Sequence, residues 1–265
     1  MLKEKEPTDK DVQQKADQVE ITYYTDPLCC YSWAFEPQWR RLRYEFEGKI
    51  SWQYIMGGLL PGWKNYNDEL NSVSRPVQMG PVWMQASHIS GMPMPNRIWM
   101  EDPPASSYPA CIAVKCAQLQ SAQAAERYLR LVREAIMLHT KNIAQQNVLF
   151  EIADDLQKKQ PAFDAEKFKA DMKNDNGIEA FRTDLQQVQY RNINRFPTLI
   201  FRYADKPAIM MTGYRSYSML LDVLKQVAPN LQKVQTPLTA DDYINYWGSV
   251  TQREVDEVIN AAENL

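Results

Sequence analysis

The sequence predicts an α/β fold in which the two halves of one sheet are separated along the chain by a helical subdomain and followed by a short helical tail. Three observations predict it. A strand, helix, strand unit stands near the start, unbroken helical periodicity fills the middle, and two further strands with a closing helix come after it.

Residues 19–25 mix β-branched and aromatic side chains with polar ones and contain no Gly or Pro, which marks a strand. Asp26-Pro27 breaks it. Phe35, Trp39, Leu42 and Phe46 then recur at helical spacing, with Arg40, Arg41, Arg43 and Glu45 off that face, and Pro37 is a kink that need not end the helix. Cys29 therefore stands at the mouth of a helix. Residues 49–56 largely alternate apolar and polar and stop at Gly57-Gly58, a second strand. The stretch 61–105 holds five Met, three Trp and seven Pro with little periodicity, and predicts loops and short helical turns packed on something larger.

Helical spacing runs from Tyr108 to about Arg191, punctuated by Pro161 and Gly177. Strands resume over 198–203 and 208–212, Gly213 closes them, and residues 217–227 form a final helix. Beyond Pro229, Thr239 with Asp242 and Thr251 with Glu254 have the form of helix caps with an acid three residues on, and Gly248 stands where the first helix stops, so the tail reads as a helical pair. The predicted domains are a sheet domain over 19–60 and 192–228, an inserted loop and helical subdomain over 61–191, and a tail over 229–265.

With 265 residues, 45% hydrophobic and 24% charged, the chain has the composition of a soluble globular protein. A net charge of -3 with no basic stripe gives no reason to expect a nucleic acid. The first eighteen residues lack the apolar core of a signal peptide and no run approaches a membrane span, so no membrane association and a cytoplasmic location are expected. Four cysteines are too sparse for a disulfide scaffold. Two histidines far apart and the spacing of Cys111 and Cys116 argue against a metal site. No glycine-rich phosphate loop and no serine-hydrolase elbow is present.

A thiol at the first turn of a helix meets unpaired backbone N–H groups and the positive end of the helix dipole. Both favour thiolate and bring a cysteine from about 8.5 toward neutral. The order strand, Cys29, helix, strand, with Phe196-Pro197-Thr198 opening a much later strand, resembles the thioredoxin superfamily, and more narrowly its DsbA-like branch. The resemblance rests on Asp26-Pro27-Leu28-Cys29 with Trp33, on Arg195-Phe196-Pro197-Thr198-Leu199 at the family's cis-proline loop, on Gly213-Tyr214, and on the helical insertion, over roughly residues 19 to 227.

Carried over residue by residue, the family's C-x-x-C motif puts the nucleophile at Cys29 and the second position at Ser32, where the chain departs from the pattern. Ser32 can donate to the thiolate, yet a hydroxyl cannot resolve a mixed disulfide. Cys30 is a poor substitute, because adjacent Cα atoms lie about 3.8 Å apart, below the usual disulfide range of about 4.4 to 6.8 Å. Cys111 opens the first inserted helix, and the resemblance places that helix start against the active-site turn, making Cys111 a candidate resolving thiol; on its own it reads as a small buried hydrophobe. The resemblance also implies a cis Phe196–Pro197 bond beside Cys29, although X-Pro at a strand start is by itself ordinary trans edge chemistry. It further implies substrate contacts from Arg195, Phe196 and Trp33, and a helical block over the active-site end of the sheet, leaving a groove bordered by Trp33, Pro197 and part of the 61–105 segment.

The leading functional expectation is a DsbA-like thiol–disulfide oxidoreductase working through Cys29 alone by a mixed disulfide. It would use no cofactor, with glutathione or a protein thiol supplying the second sulfur. The first alternative is a non-catalytic adaptor on the same fold, resembling adaptors that present regulators to an ATP-dependent protease, and it needs a protein partner. The second is a kappa-class glutathione transferase or isomerase, which usually places Ser where this chain has Cys29. The thiol acidity of Cys29 separates them: a value well below about 7 favours chemistry, and one near or above about 8.5 favours the adaptor.

Overall fold

The computed structural model of the chain describes residues 18–235 and 239–262, and residues 1–17, read above for a leader, lie outside them. Strands β1 (Val19–Thr25), β2 (Ile50–Met56), β3 (Thr198–Arg202) and β4 (Ile209–Thr212) form one sheet in the order β2-β1-β3-β4. The Val19 amide donates to the Lys49 carbonyl at one end and the Gly57 amide to the Thr25 carbonyl at the other, so β1 and β2 run parallel. Their crossover is helical, but the single helix expected from the sequence is two: α1 (Cys30–Ala34) and α2 (Glu36–Glu45). Pro37 is the cause. Its ring excludes the carbonyl four residues back, whereas in the first turn of α2 its missing N–H costs nothing.

Packing divides the described residues into two compact units, the first comprising residues 18–23, Glu36–Gln53 and those from Leu199 on. Trp39, Leu42 and Phe46 of α2 are buried there, with Trp39 edge-on to Tyr23 at 5.2 Å. The unit also contains α10 (Tyr217–Val227), α11 (Ala240–Trp247) and α12 (Gln252–Ala262). Of the charged residues that lie off the apolar face of α2, Arg40, Arg43 and Glu45 are buried too and Arg41 is partly buried, and the tail covers Arg40 and Arg43. Arg40 pairs with Glu254 at 2.8 Å, and its guanidinium lies 4.3 Å from the Trp247 ring. Arg43 sits between Trp52 and Trp247, at 4.1 and 4.7 Å.

The second unit comprises Tyr24–Phe35 and Tyr54–Thr198. At its centre α5 (Tyr108–Gln118) buries Ala110, Cys111, Ala113, Val114, Cys116 and Ala117, small side chains that let α6 (Ala122–Met137), α8 (Ala165–Lys173) and α9 (Asn176–Tyr190) approach closely. The helix α7 (Gln146–Lys159) packs on α6 and α8. The 61–105 stretch is more regular than expected: besides α4 (Ile98–Glu101) it holds the twelve-residue α3 (Met79–Ser90). Met79, Val82, Trp83, Ala86 and Ser90 form its buried face, and Pro81 falls in the first turn, where it does no harm. The ends of β1 and β2 also belong to this unit. Arg133 of α6 donates to the Thr25 hydroxyl, and Asp184 of α9 accepts the Met56 amide at 2.7 Å while pairing with Lys115 of α5 at 2.8 Å. No helix among the described residues is long and apolar enough to cross a membrane.

Candidate functional site: a buried thiol beside the cis-proline loop

The site is built from the end of β1, where Asp26 is fully buried. One carboxylate oxygen accepts the Leu28 amide at 2.8 Å, closing a turn over Pro27. The other accepts the Leu59 amide at 2.7 Å, the Ser107 hydroxyl at 2.9 Å and the Cys111 thiol at 3.2 Å. These bonds favour the ionised acid, but burial outweighs them and holds the Asp26 carboxyl above its ordinary range.

The turn delivers Cys29 to the cap position of α1, the helix mouth expected from the sequence. There its sulfur accepts the Ser32 amide at 3.4 Å. On its other side the Cys29 thiol lies 3.5 Å from the Phe196 carbonyl, to which it donates. Phe196–Pro197 is cis, as the resemblance implied.

The acidity expected of a thiol at a helix mouth is overturned. Cys29 is only 4% exposed, and burial pushes its thiol up. The Ser32 hydroxyl and amide pull the other way, the Asp26 charge adds to the rise, and Arg133 opposes it. Burial prevails because α1 is barely more than one turn, so few N–H groups face the sulfur. The Ser32 hydroxyl is buried and makes no well-directed hydrogen bond to the neutral thiol, though it stands close enough to favour the thiolate.

Several residues singled out in the sequence gather here, in roles that the structure refines. Cys30 is buried beside Cys29, and burial, followed by Cys29 itself, pushes its thiol well up. Cys111 is fully buried with its thiol committed to Asp26, and all four cysteines are free thiols. Trp33, expected at the rim of a groove, is fully buried instead: its indole N–H donates to the Pro93 carbonyl at 3.0 Å and the Arg130 guanidinium covers its ring at 4.6 Å. Pro197 is buried, Phe196 half-buried and Arg195 exposed.

Asp26, Arg133 and Gly57 were missed as site residues. Asp26 reads locally as a strand breaker, and its signal was an acid wedged between an apolar strand and P-L-C-C with no basic neighbour. Arg133 adjoins the apolar stripe of Leu129, Val132 and Ile136, but Arg130 and Glu134 lie beside it and nothing local sets it apart. Gly57 looked like a strand terminator only. Chemically, the arrangement offers a buried cysteine at the mouth of a helix, its thiol pushed up by burial, with no second thiol at position 32.

The model of the thioredoxin family matches residues 23–222. Among curated relatives, the ClpXP adapter protein SpxH of Halalkalibacterium halodurans is 28% identical over 254 residues, covering 95% of this chain and 81% of the relative. Among solved structures, a Nitrosomonas europaea protein assigned as a disulfide isomerase superposes with a TM-score of 0.64 at 21% identity, over 79% of this chain and 98% of that one. A Streptomyces coelicolor protein assigned as a DsbA oxidoreductase gives 0.61 at 12% identity, over 84% and 93%. A match over most of the chain places this protein in the thioredoxin family, and its fold, with a cysteine at the end of β1, a cis-proline loop against it and a helical insertion between strands, is shared with DsbA-like neighbours.

Proposed function

We propose that the chain is a protein-binding adaptor that delivers a client protein to an ATP-dependent protease of the ClpXP kind, acting in the cytoplasm. The observation that carries this reading is Ser32 where a dithiol enzyme needs sulfur, beside a Cys29 that is only 4% exposed and donates its thiol to the Phe196 carbonyl. The name of the Halalkalibacterium halodurans relative supports the same reading. So do Leu70, Val77, Met84, Ile89 and Met100, each at least half exposed, which give the 61–105 segment an apolar surface of adaptable side chains.

The test combines purified chain, ClpXP and ATP with the soluble proteome of the source cell, and quantifies degradation by mass spectrometry. A defined set of proteins should disappear faster only when the chain is present, and Cys29→Ala should retain that effect. If no protein's lifetime depends on the chain, or if Cys29→Ala abolishes the dependence, the reading is wrong.

One observation favours a second reading, a monothiol oxidoreductase: the Ser32 amide and hydroxyl both favour the Cys29 thiolate. In that case the thiolate attacks oxidised glutathione, a sulfur–sulfur bond forms at Cys29, a glutathione thiolate leaves, and a further thiol resolves the product. A stable glutathione adduct on Cys29, seen by mass under non-reducing conditions and forming within minutes at neutral pH, marks this chemistry.

A further inference from the structure

The Phe196 carbonyl takes the Cys29 S–H, and the ring of the same residue lies directly on Gly57. A β-carbon built on Gly57 would stand 2.0 Å from Phe196 Cζ and 2.4 Å from Cε1. Any side chain at 57 and the ring in its present place therefore exclude one another. The backbone beneath the ring has no room to retreat. The Gly57 amide donates to the Thr25 carbonyl at 2.7 Å, and the preceding amide, of Met56, donates to Asp184, which is tied to Lys115 in a buried ion pair. On the far side Gly58, at φ +65, stands where a β-carbon would meet Leu185 and Tyr108 at 2.9 Å each. The loop is held by hydrogen bonds and close packing, and the ring rests on Gly57, where a side chain would stand in its place.

We propose that Gly57 is a positioning residue for the Cys29 site: the socket left by its missing side chain seats the Phe196 ring, and the seated ring holds the Phe196 carbonyl over the Cys29 sulfur. With the ring displaced, the thiol loses its acceptor and the sulfur gains water, and both changes favour the thiolate. The inference deepens the adaptor reading, because a thiol covered and engaged in this way is withdrawn from exchange. Its test is read on the sulfur itself, so its failure leaves client delivery untouched, and failure of client delivery leaves the socket untouched.

The experiment is alkylation of Cys29 by iodoacetamide across neutral to alkaline pH, located by fragmentation mass spectrometry to separate it from Cys30. It compares wild type, Gly57→Ala, Phe196→Ala and the double variant. The titratable and charged groups facing Cys29, namely Asp26, Cys30, Tyr31, Tyr66 and Arg133, are the same in all four. Each single variant should alkylate about tenfold faster at neutral pH, a midpoint lower by about one pH unit. The double variant should match Phe196→Ala alone, because the three atoms nearest the new methyl all belong to the ring that is removed. A purely structural role for Gly57 would change stability and leave the midpoint in place. Single variants that titrate like wild type, or a double variant that sums the two shifts, would overturn the proposal. Should Gly57→Ala not fold, Phe196→Ala decides: a lowered midpoint supports the socket and an unchanged one refutes it.

Discussion

Ser32 is where one side chain separates this site from a dithiol enzyme. It is fully buried, its amide points at the Cys29 sulfur, and its hydroxyl has no well-directed partner, an arrangement that costs about 1–3 kcal/mol in an otherwise satisfied core. A sulfur there would replace that unpartnered oxygen and stand on the helical turn that already directs position 32 toward Cys29. Ser32→Cys should therefore close a disulfide between positions 29 and 32 under mild oxidant, read as the loss of two hydrogens. It should also gain insulin reduction with dithiothreitol as reductant, where wild type shows only the uncatalysed rate. If the variant stays reduced under oxidant, the geometry assigned to α1 is wrong. The place of Cys29 at the helix mouth and the missing second sulfur were both legible in D-P-L-C-C-Y-S-W, because motif and order are local properties. The protonation of Cys29 was not, since it depends on how much water the folded chain removes from the sulfur.

Among the elements, two buried ion pairs hold helices to their neighbours, and each makes a prediction about charge left without a partner. Lys115 on α5 and Asp184 on α9 meet at 2.8 Å, and burial lifts the Asp184 carboxyl despite the lysine beside it. Lys115→Met should cost about 3–5 kcal/mol at neutral pH, because it strands a buried carboxylate. The sign of the pH dependence follows. Without the lysine the folded pKa of Asp184 rises further while the unfolded value stays near about 3.9. The penalty is then complete above the folded pKa and fades as pH falls through it toward the unfolded value. Urea unfolding of both proteins at neutral and mildly acidic pH measures this, and a penalty independent of pH would show that Asp184 does not depend on Lys115.

Arg40 and Glu254 join α2 to α12 in the same manner, both buried. Glu254→Ala should cost about 3–5 kcal/mol, and Arg40→Ala should add little to it when the two are combined. A fully additive pair in denaturant titrations would remove the ion pair from the account. Both cap boxes of the tail were readable from the sequence, with Thr239 and Thr251 each bonding the amide three residues on. The burial of Arg40 and Arg43 was not, because α2 alone gives no sign that a distant tail will cover its charged side.

For the whole molecule, the proposed role asks for a surface rather than a reaction. Met84 and Met100 are 61% and 78% exposed, and no fold-level reason requires them to be apolar. Met84→Glu together with Met100→Glu should leave the unfolding midpoint within about 0.5 kcal/mol of wild type, as surface changes do. The same double variant should weaken client capture by about tenfold or more, measured by ClpXP-dependent degradation of the proteins identified with wild type. Unchanged degradation would move the docking surface elsewhere on the chain.

By itself the sequence determined the order and approximate ends of nearly all elements, the division of the sheet by a helical insertion, the place of Cys29 at the mouth of a helix, Ser32 three residues on where a second cysteine is missing, and Pro197 in the loop that opens β3. These follow from periodicity, caps and motif spacing, which act over a few residues. Only the tertiary structure decided that Cys29 is buried with its thiol pushed up, that Asp26 gathers Leu28, Leu59, Ser107 and Cys111 around one carboxylate, that Trp33 supports the site from within, and that Phe196 rests on Gly57. Each of these depends on desolvation and contact between segments far apart in the chain, and neither quantity exists until the chain has folded.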